Sequence, residues 1–148
     1  MFTNQRYQLN DLINSKSNET ALSWSYAHTG LTSPLSYSDL KKLIAQRAID
    51  FTRAGVQPRQ RVLIEDTDPV HQIISLFALE KSGAVFSIMP KVQTETHNKI
   101  RIDLQAHYHC TKNTITKQTC SNRLTKVNVN AIFYTSGSTS TPTGVMHS

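Results

Sequence analysis

The sequence feature that most constrains the fold is a hydroxyl-rich segment that directly follows an apolar run. Every residue from Thr135 to Ser140 carries a hydroxyl group except Gly137. Gly137 and Gly144 permit backbone angles that a side chain would forbid, and Pro142 stiffens the segment. The preceding run, Val127 to Tyr134, is typical of a buried strand. The pattern predicts a loop that leaves the edge of a sheet and holds an anion. This edge is where α/β proteins bind nucleotides.

The spacing within this segment excludes two common kinds of site. A Walker-type phosphate loop has glycines five residues apart and a lysine directly after the second, whereas Gly137 and Gly144 are seven apart and Val145 follows. Ser136 and Ser138 lack the Gly-x-Ser-x-Gly pattern of a nucleophile elbow, and no acidic residue follows them. We therefore assign no catalytic residue.

The order of the elements upstream indicates an α/β fold. A hairpin is followed by alternating helices and strands, without an internal repeat. The predicted bounds are 21–26 and 32–37 for the hairpin strands, 35–55, 68–83 and 94–104 for the helices, and 61–65, 84–88, 106–111 and 127–134 for the later strands. This order is that of βαβ units, so we expect a mainly parallel sheet with right-handed crossovers.

Two of the predicted helices begin with capping signals. Ser36 together with Asp39, or Ser38 itself, can accept hydrogen bonds from the first amides of the first helix. Asp68 followed by Pro69 predicts an N-cap and a proline in the first turn of the second helix.

Composition is typical of a cytoplasmic protein with one domain. A chain of 148 residues with 38% hydrophobic content can bury one core. No run approaches the ~18 apolar residues of a membrane helix, and the segment 1–7 lacks the apolar part of a signal peptide. Cys110 and Cys120 form neither a disulfide framework nor a metal-binding spacing, so we expect reduced thiols. We predict no membrane span and a cytoplasmic location.

The net charge of +6 is unevenly distributed. No Asp or Glu follows Asp103, while basic residues continue at Lys112, Lys117, Arg123 and Lys126. This excess suits an anionic ligand beside the loop, and it is equally typical of a solvated basic surface. Aromatic residues do not alternate with these charges, so we predict no nucleic-acid partner.

Two clusters of titratable residues are interpreted as structural and not as metal-binding or acid–base sites. His107 and His109 would share one face of a strand next to Cys110, but no third ligand has a suitable spacing, so we predict no metal site. The acidic run Glu65 to Asp68 contains the predicted cap and is interpreted as a solvated turn.

Other conspicuous side chains are interpreted as scaffold. Trp24 is expected to be a packing anchor, and residues 7–13 contain apolar positions for one short docking helix. The basic residues of the first helix lie off its apolar face, and we expect them to be solvated: Lys41, Lys42, Arg47 and Arg53.

The segment from Tyr134 to Val145 resembles the phosphate-binding loop of the AMP-forming, or adenylate-forming, ligases, whose pattern is aromatic-Thr-Ser-Gly-Ser/Thr-Thr-Gly-x-Pro-Lys-Gly-Val. That superfamily includes acyl-CoA synthetases, peptide-synthetase adenylation domains and luciferases. Three upstream segments, 35–40, 61–64 and 81–90, are similar to its Leu-Thr-Tyr-x-Glu-Leu, Asp-Arg-Val-Ala-Leu and Lys-Ala-Gly-Ala-Val-Tyr-Val-Pro-Leu-Asp-Pro segments. These pieces occur in family order and extend over residues 20 to 148.

The resemblance implies an incomplete fold and a defined chemistry. Residues 1–148 would be a single N-terminal portion of an AMP-binding domain that ends just after the phosphate loop, with βαβ units and a mainly parallel sheet. Enzymes of the family activate a carboxylic acid with ATP to an acyl-adenylate and pass the acyl group to a thiol such as coenzyme A. Their adenine, magnesium and ribose contacts lie further along, so this portion is expected to be inactive alone.

By the same resemblance, the phosphate-binding residues are these: Thr135, Ser136, Gly137, Ser138, Thr139, Thr143 and Gly144. ATP and Mg²⁺ would be the cofactors of the complete enzyme. The partners would be a nucleotide and a carboxylic acid, with another chain that supplies the missing domain as a further possibility.

Two residues depart from the family pattern and support an alternative function. Ser140 replaces a loop glycine, and Thr143 replaces the lysine that contacts phosphate. Loss of a charge-assisted hydrogen bond costs roughly 1.5–3 kcal/mol, so a non-catalytic binding or interaction module on the same scaffold is the alternative. Because the segment ends at Ser148, we also expect the 127–134 strand to have an unpaired edge and the 135–148 segment to be its most mobile part.

Overall fold

The computed structural model describes residues 18–25, 32–119, 124–126, 128–135 and 142–148. It divides into two compact units, Met1–Ala45 and Gln46–Ser148, which are taken in turn. The predicted docking helix at 7–13 and the turn of the hairpin lie outside the described residues.

The first unit contains the predicted hairpin. Strands β1 (Thr20–Ser25) and β2 (Thr32–Ser36) pair antiparallel, with Leu22 opposite Leu35. The backbone amide of Tyr37 donates a 3.0 Å hydrogen bond to the Glu19 carbonyl, which ties the start of the next helix to the segment before β1. The side chain of Trp24 lies outside the described part, so its packing role stays a prediction.

Helix α1 (Tyr37–Arg53) begins at the first of the two predicted caps. The Ser36 Oγ accepts a 3.1 Å hydrogen bond from the Asp39 amide and donates a 2.8 Å bond to Asp39 Oδ2. Ser36 Oγ therefore satisfies the Asp39 amide, which the first turn leaves without a helical partner, and the Asp39 carboxylate holds the Ser36 hydroxyl in place.

The second unit is built on one mixed sheet. Its elements are β3 (Arg61–Ile64), α2 (Pro69–Ser82), β4 (Val85–Ile88), α3 (Thr94–Leu104), β5 (Tyr108–Cys110), β6 (Ile115–Lys117), β7 (Ala131–Thr135) and β8 (Thr143–His147). The strand order is β6-β5-β3-β4-β7-β8. The four inner strands run parallel, and both outer strands pair antiparallel to their neighbours.

The two crossover connections run in opposite directions. The chain passes from β3 to β4 through α2, and then back over β3 to β5 through α3. Since such crossovers are right-handed, α2 and α3 lie on opposite faces of the sheet. Leu104 of α3 packs with Leu63, Val85 and Ile132 in a buried cluster, which identifies the sheet face that α3 covers.

Helix α2 has both predicted end signals. The Asp68 carboxylate accepts a 2.9 Å hydrogen bond from the Val70 amide, and Pro69 occupies the first turn. Gly83 ends the helix at a φ of 69°, the left-handed conformation that glycine adopts at least cost. No helix in the described ranges is long and apolar enough to cross a membrane.

The later strands differ from their predicted bounds. Strand β5 begins at Tyr108, and β7 begins at Ala131 after Asn128 adopts a φ of 70°, which breaks the extended run. The sequence did not predict β6 or β8. The expected unpaired edge of the 127–134 strand is wrong, because β8 pairs along all of β7. Residues 143–147 are accordingly a strand and not part of a long loop.

Candidate functional site

The predicted phosphate loop connects the two strands of a hairpin. Thr135 is the last residue of β7 and Thr143 is the first of β8, and the two are direct partners in the strand register. Because β7 is parallel to β3 and β4, its end lies at the carboxyl edge of the sheet. Ligands of open α/β sheets bind outside this edge, so the loop emerges where a nucleotide would be expected.

Three of the predicted phosphate-binding residues fall within the described part of the chain: Thr135, Thr143 and Gly144. The others lie outside it: Ser136, Gly137, Ser138 and Thr139. Directly opposite residues of an antiparallel pair point to the same face and have Cβ atoms about 4.5–5.5 Å apart. The exposed side chains of Thr135 and Thr143 therefore stand together at the base of the loop.

The role of Gly144 in the structure differs from the predicted one. We expected it to adopt a backbone angle that a side chain would forbid, but it lies in β8 without a positive φ. A Cβ atom at this position would meet Ile132 Cγ2 at 3.2 Å and the Tyr134 ring at 3.2 Å. Gly144 therefore makes room for the aromatic ring of its cross-strand neighbour.

Tyr134 fixes the hairpin to helix α3. Its hydroxyl donates a 2.6 Å hydrogen bond to Asp103 Oδ2. Burial, and then the hydrogen bond to Asp103, raise the pKa of the Tyr134 phenol above its usual range. The aromatic residue that opens the loop motif thus anchors the strand before it to the helix that covers this face.

The carboxyl edge also carries a charged cluster around Glu65, the first residue after β3. Arg101 of α3 donates two hydrogen bonds to the Glu65 carboxylate, from Nε at 2.7 Å and from Nη2 at 2.9 Å. His109 Nδ1 lies 3.3 Å and His97 Nε2 3.7 Å from the same carboxylate. The Glu65 side chain is only 14% exposed, so its interpretation as part of a solvated turn is wrong.

The next acidic residues order the start of α2. Asp66 Oδ1 accepts a 3.0 Å hydrogen bond from the Asp68 amide, and the Asp66 carbonyl accepts one from Gln72. Asp66 Oδ2 is buried and has no hydrogen-bond partner in the described segments. The cap assigned to Asp68 is confirmed.

Arg47 is not simply a solvated charge on α1, as the sequence predicted. Its guanidinium donates a 3.2 Å hydrogen bond to Ser75 Oγ and further bonds to the carbonyls of Thr111 and Lys112. It also lies 4.9 Å from the centre of the Phe51 ring. This arginine therefore connects α1, α2 and the segment directly after β5.

His107, directly before β5, and His109, within it, have different partners. His107 Nδ1 accepts a 3.0 Å hydrogen bond from the Arg61 amide, so Nε2 carries the proton of the neutral ring. Burial, and then the Arg61 charge, lower the pKa of His107. Burial also lowers the pKa of His109, against the opposing effect of Glu65.

The described residues contain no group of three or more His, Cys, Asp or Glu suited to a metal ion. Cys110 is a buried free thiol whose pKa burial raises to about 12. It is therefore a poor nucleophile at neutral pH, because the thiolate is the reactive form.

Sequence reasoning missed the Glu65–Arg101 pair and the Tyr134–Asp103 bond. His97 and Arg101 are four residues apart, which places both on one face of a helix. That spacing was the available signal. The identity of their common partner could not be read from it, because Glu65 is 36 residues away from Arg101.

Comparison with known proteins identifies the fold. No protein-family model matches this sequence, and no curated protein sequence matches it significantly. Solved structures do match. O-succinylbenzoate coenzyme A synthetase from Bacillus subtilis, in complex with AMP, has a TM-score of 0.71 at 14% identity, over 93% of this chain and 40% of that one.

Two further matches are structures with a bound adenylate. The A-PCP part of McyG, complexed with phenylalanyl-adenylate, has a TM-score of 0.74 at 14% identity, over 99% of this chain and 33% of that one. Fatty acyl-adenylate ligase from L. pneumophila, in complex with acyl adenylate and pyrophosphate, has a TM-score of 0.73 at 18% identity, over 96% and 30%.

The resemblance to AMP-forming ligases is thus confirmed at the level of the fold. The chain spans 40% or less of the length of these three proteins.

Proposed function

We propose that the segment from Thr135 to Gly144 binds phosphate groups and that the chain is the N-terminal portion of an AMP-binding domain. The enzyme would activate a carboxylic acid with ATP to an acyl-adenylate and transfer the acyl group to a thiol such as coenzyme A. The observation that supports this proposal is the hairpin of β7 and β8: Thr135 ends β7 at the carboxyl edge of the parallel strands, and its direct partner Thr143 begins β8 after the hydroxyl-rich segment of the sequence.

The loop would act through its hydroxyls and amides. In the reaction, a carboxylate oxygen attacks the α-phosphorus of ATP, and the bond to the bridging oxygen of the leaving pyrophosphate breaks. Donors that are already in place stabilise the charge that develops on the leaving phosphates. We assign this role to the seven loop residues named above, with Thr135 and Thr143 at its base.

We assign no magnesium ligand in this chain. Nucleotide phosphates are normally accompanied by Mg²⁺, which prefers carboxylate and water oxygens. Residues 18–25, 32–119, 124–126, 128–135 and 142–148 offer no suitable cluster. The metal ligands, the adenine contacts and the acid-binding residues are proposed to come from the part of the ligase fold that this chain does not span, either in the same polypeptide or in a partner chain. A cytoplasmic location, where ATP is available, is part of this proposal and is compatible with the free thiol of Cys110.

The experiment that tests the proposal uses the position of the missing lysine. A lysine at 143 would stand next to Thr135 at the loop base, so Thr143→Lys should tighten the binding of pyrophosphate about tenfold, which is about 1.4 kcal/mol. Thr116→Lys is the matched control, since Thr116 is an exposed threonine on β6 at the opposite edge of the sheet. Titration calorimetry of both variants decides the result. Equal affinities for the two would place position 143 away from the phosphates.

The alternative function is a non-catalytic binding or interaction module. Thr143 favours it, because this position lacks the cation that the ligase pattern has at the phosphates. Such a module would bind pyrophosphate no better than inorganic sulfate, both in wild type and in Thr143→Lys. Binding that discriminates between these two anions supports the ligase origin of the loop.

A further inference from the structure

Helix α3 meets the carboxyl edge of the sheet through a cluster of charged and titratable side chains. Its members are Glu65 directly after β3, His97 and Arg101 on α3, and His109 on β5. We propose that this cluster is a pH-sensitive switch, in which protonation of His97 and His109 frees residues 94–99 from the sheet edge. Arg101 and the end of the helix stay in place. The switch does not depend on the function proposed for the loop.

The first half of α3 is weakly anchored to the rest of the fold. The buried residues of this helix are Ile100 and Leu104, both in its second half, whereas residues 94–99 are exposed or half-buried. At the start of the helix, Gln93 makes no side-chain capping hydrogen bond within the described residues. A helix end that lacks both a cap and a buried apolar side chain is among the parts of a fold that open most readily.

The second half of α3 is anchored independently of the two histidines. Leu104 lies in the buried cluster of the sheet face, and Asp103 accepts the hydrogen bond of Tyr134. Arg101 donates its two hydrogen bonds to Glu65 and keeps its charge at any pH near neutrality. The first half can therefore open while the second half stays packed.

Protonation changes the charge balance of the cluster. His109 Nδ1 lies 3.3 Å and His97 Nε2 lies 3.7 Å from the Glu65 carboxylate, which already binds the Arg101 guanidinium. With both rings neutral, one carboxylate faces one guanidinium and the charges cancel. With both rings protonated, three cations surround one carboxylate. The Glu65 and His109 side chains are only 14% and 18% exposed, so water screens this excess of positive charge incompletely.

The neighbouring groups in the described segments do not balance the added charge. The residues opposite His109 in the adjacent strands are uncharged: Leu63 and Thr116. Cys110 points to the other face of the sheet, because side chains alternate along a strand, and the charges that act on its thiol include two further groups: Arg47 and Asp66. On α3, Glu95 and Lys99 pair with each other at 2.7 Å.

Acid therefore favours the released state of residues 94–99. In the docked state, burial lowers the pKa of His109; Glu65 opposes this effect, and Arg101 and His97 add to it. In the released state both rings are in water, where the pKa of histidine is about 6.5. The released state then binds more protons, so docking is complete above this pH and weakens as the pH falls below it. Release uncovers Glu65 at the edge from which the candidate loop emerges.

The test is native-state hydrogen exchange of the whole 148-residue chain at pH 7.5 and at pH 5.5, with rates corrected for the intrinsic effect of pH. A ring that titrates near pH 6.5 only in the released state favours that state by about tenfold at pH 5.5. Protection of the amides of residues 98–100 should therefore fall by about tenfold or more. The Gln105 amide, which donates to the Arg101 carbonyl at the other end of α3, and the amides of α2 should lose less.

Variants assign the effect to the two rings. The double variant with His97→Gln and His109→Gln should abolish the additional loss at residues 98–100. His71→Gln is the matched control, because His71 lies 3.6 Å from Asp68 on α2 and its removal should leave the loss as in wild type. If the double variant does not fold, each single variant should show a smaller loss than wild type. The proposal is overturned if protection at 98–100 falls no more than in α2, or if the additional loss persists in the double variant or unchanged in both single variants.

Discussion

The hydroxyl of Tyr134 donates a 2.6 Å hydrogen bond to Asp103 Oδ2, which ties the strand before the candidate loop to helix α3. Tyr134→Phe should therefore destabilise the chain by about 1 kcal/mol, the usual net contribution of one hydrogen bond. Asp103→Ala, which removes the acceptor, supplies the second single variant of a double-mutant cycle measured by urea unfolding. Fully additive single effects would show that the bond contributes nothing to stability.

Gly144→Ala should destabilise the hairpin by about 1–3 kcal/mol, because its Cβ atom would stand 3.2 Å from both Ile132 and the Tyr134 ring. Thr143→Ala, one residue earlier on the same strand and facing the opposite side, should cost less than 0.5 kcal/mol. Urea unfolding measures both. If Gly144→Ala left the stability unchanged, the position of the Tyr134 ring would not require the space that glycine leaves at 144.

Arg101→Met should cost about 1–2 kcal/mol, since it leaves the mostly buried Glu65 carboxylate without its bidentate cation. The loss is smaller than for a fully buried pair because the Arg101 side chain is 42% exposed. Lys99→Met is the control on the same helix, where an exposed pair with Glu95 is removed and the cost should be about 0.2–0.5 kcal/mol. Similar losses for both variants would mean that the burial of Glu65 has no energetic consequence.

Stability should fall as the pH drops below the ordinary histidine pKa of 6.5. Burial lowers the pKa of His107 and His109 in the folded chain, so the unfolded chain binds more protons in this window. The groups that face His109 are Glu65, Arg101 and His97, and Arg61 faces His107.

Urea unfolding at pH 8 and at pH 5.5 measures this effect. His107→Asn and His109→Gln should each reduce the difference in stability between the two pH values, whatever their effect at pH 8. A difference unchanged in both variants would assign the acid sensitivity to other groups.

The 148 residues alone should not catalyse acid-dependent exchange of pyrophosphate into ATP, because we assign them no magnesium ligand or acid-binding residue. The measurement is exchange of labelled pyrophosphate with a panel of carboxylic acids. Exchange above that of a heat-inactivated sample would show that these residues contain a complete active site.

Local chemistry in the sequence determined the bounds of α2 and the start of α1. Asp68, Pro69 and Gly83 act within a few residues of their own positions, and Ser36 caps the amide of Asp39 three residues later. The hydroxyl-rich loop, the threonine at 143 in place of the lysine of the ligase pattern, and the βαβ order can likewise be recognised in the sequence. Each depends on residue type and short-range spacing.

Only the tertiary structure determined how the segments on either side of the loop pair and pack. Residues 143–147 have the sequence Thr-Gly-Val-Met-His, whose glycine weakens strand propensity, and they become β8 because β7 offers a row of backbone partners. The direct pairing of Thr135 with Thr143 and the contact of Tyr134 with Asp103 follow from that pairing. The surroundings of Glu65 depend on α3 crossing back over β3. Periodicity within a segment carries no information about such partners, because they are brought together only when distant segments pack.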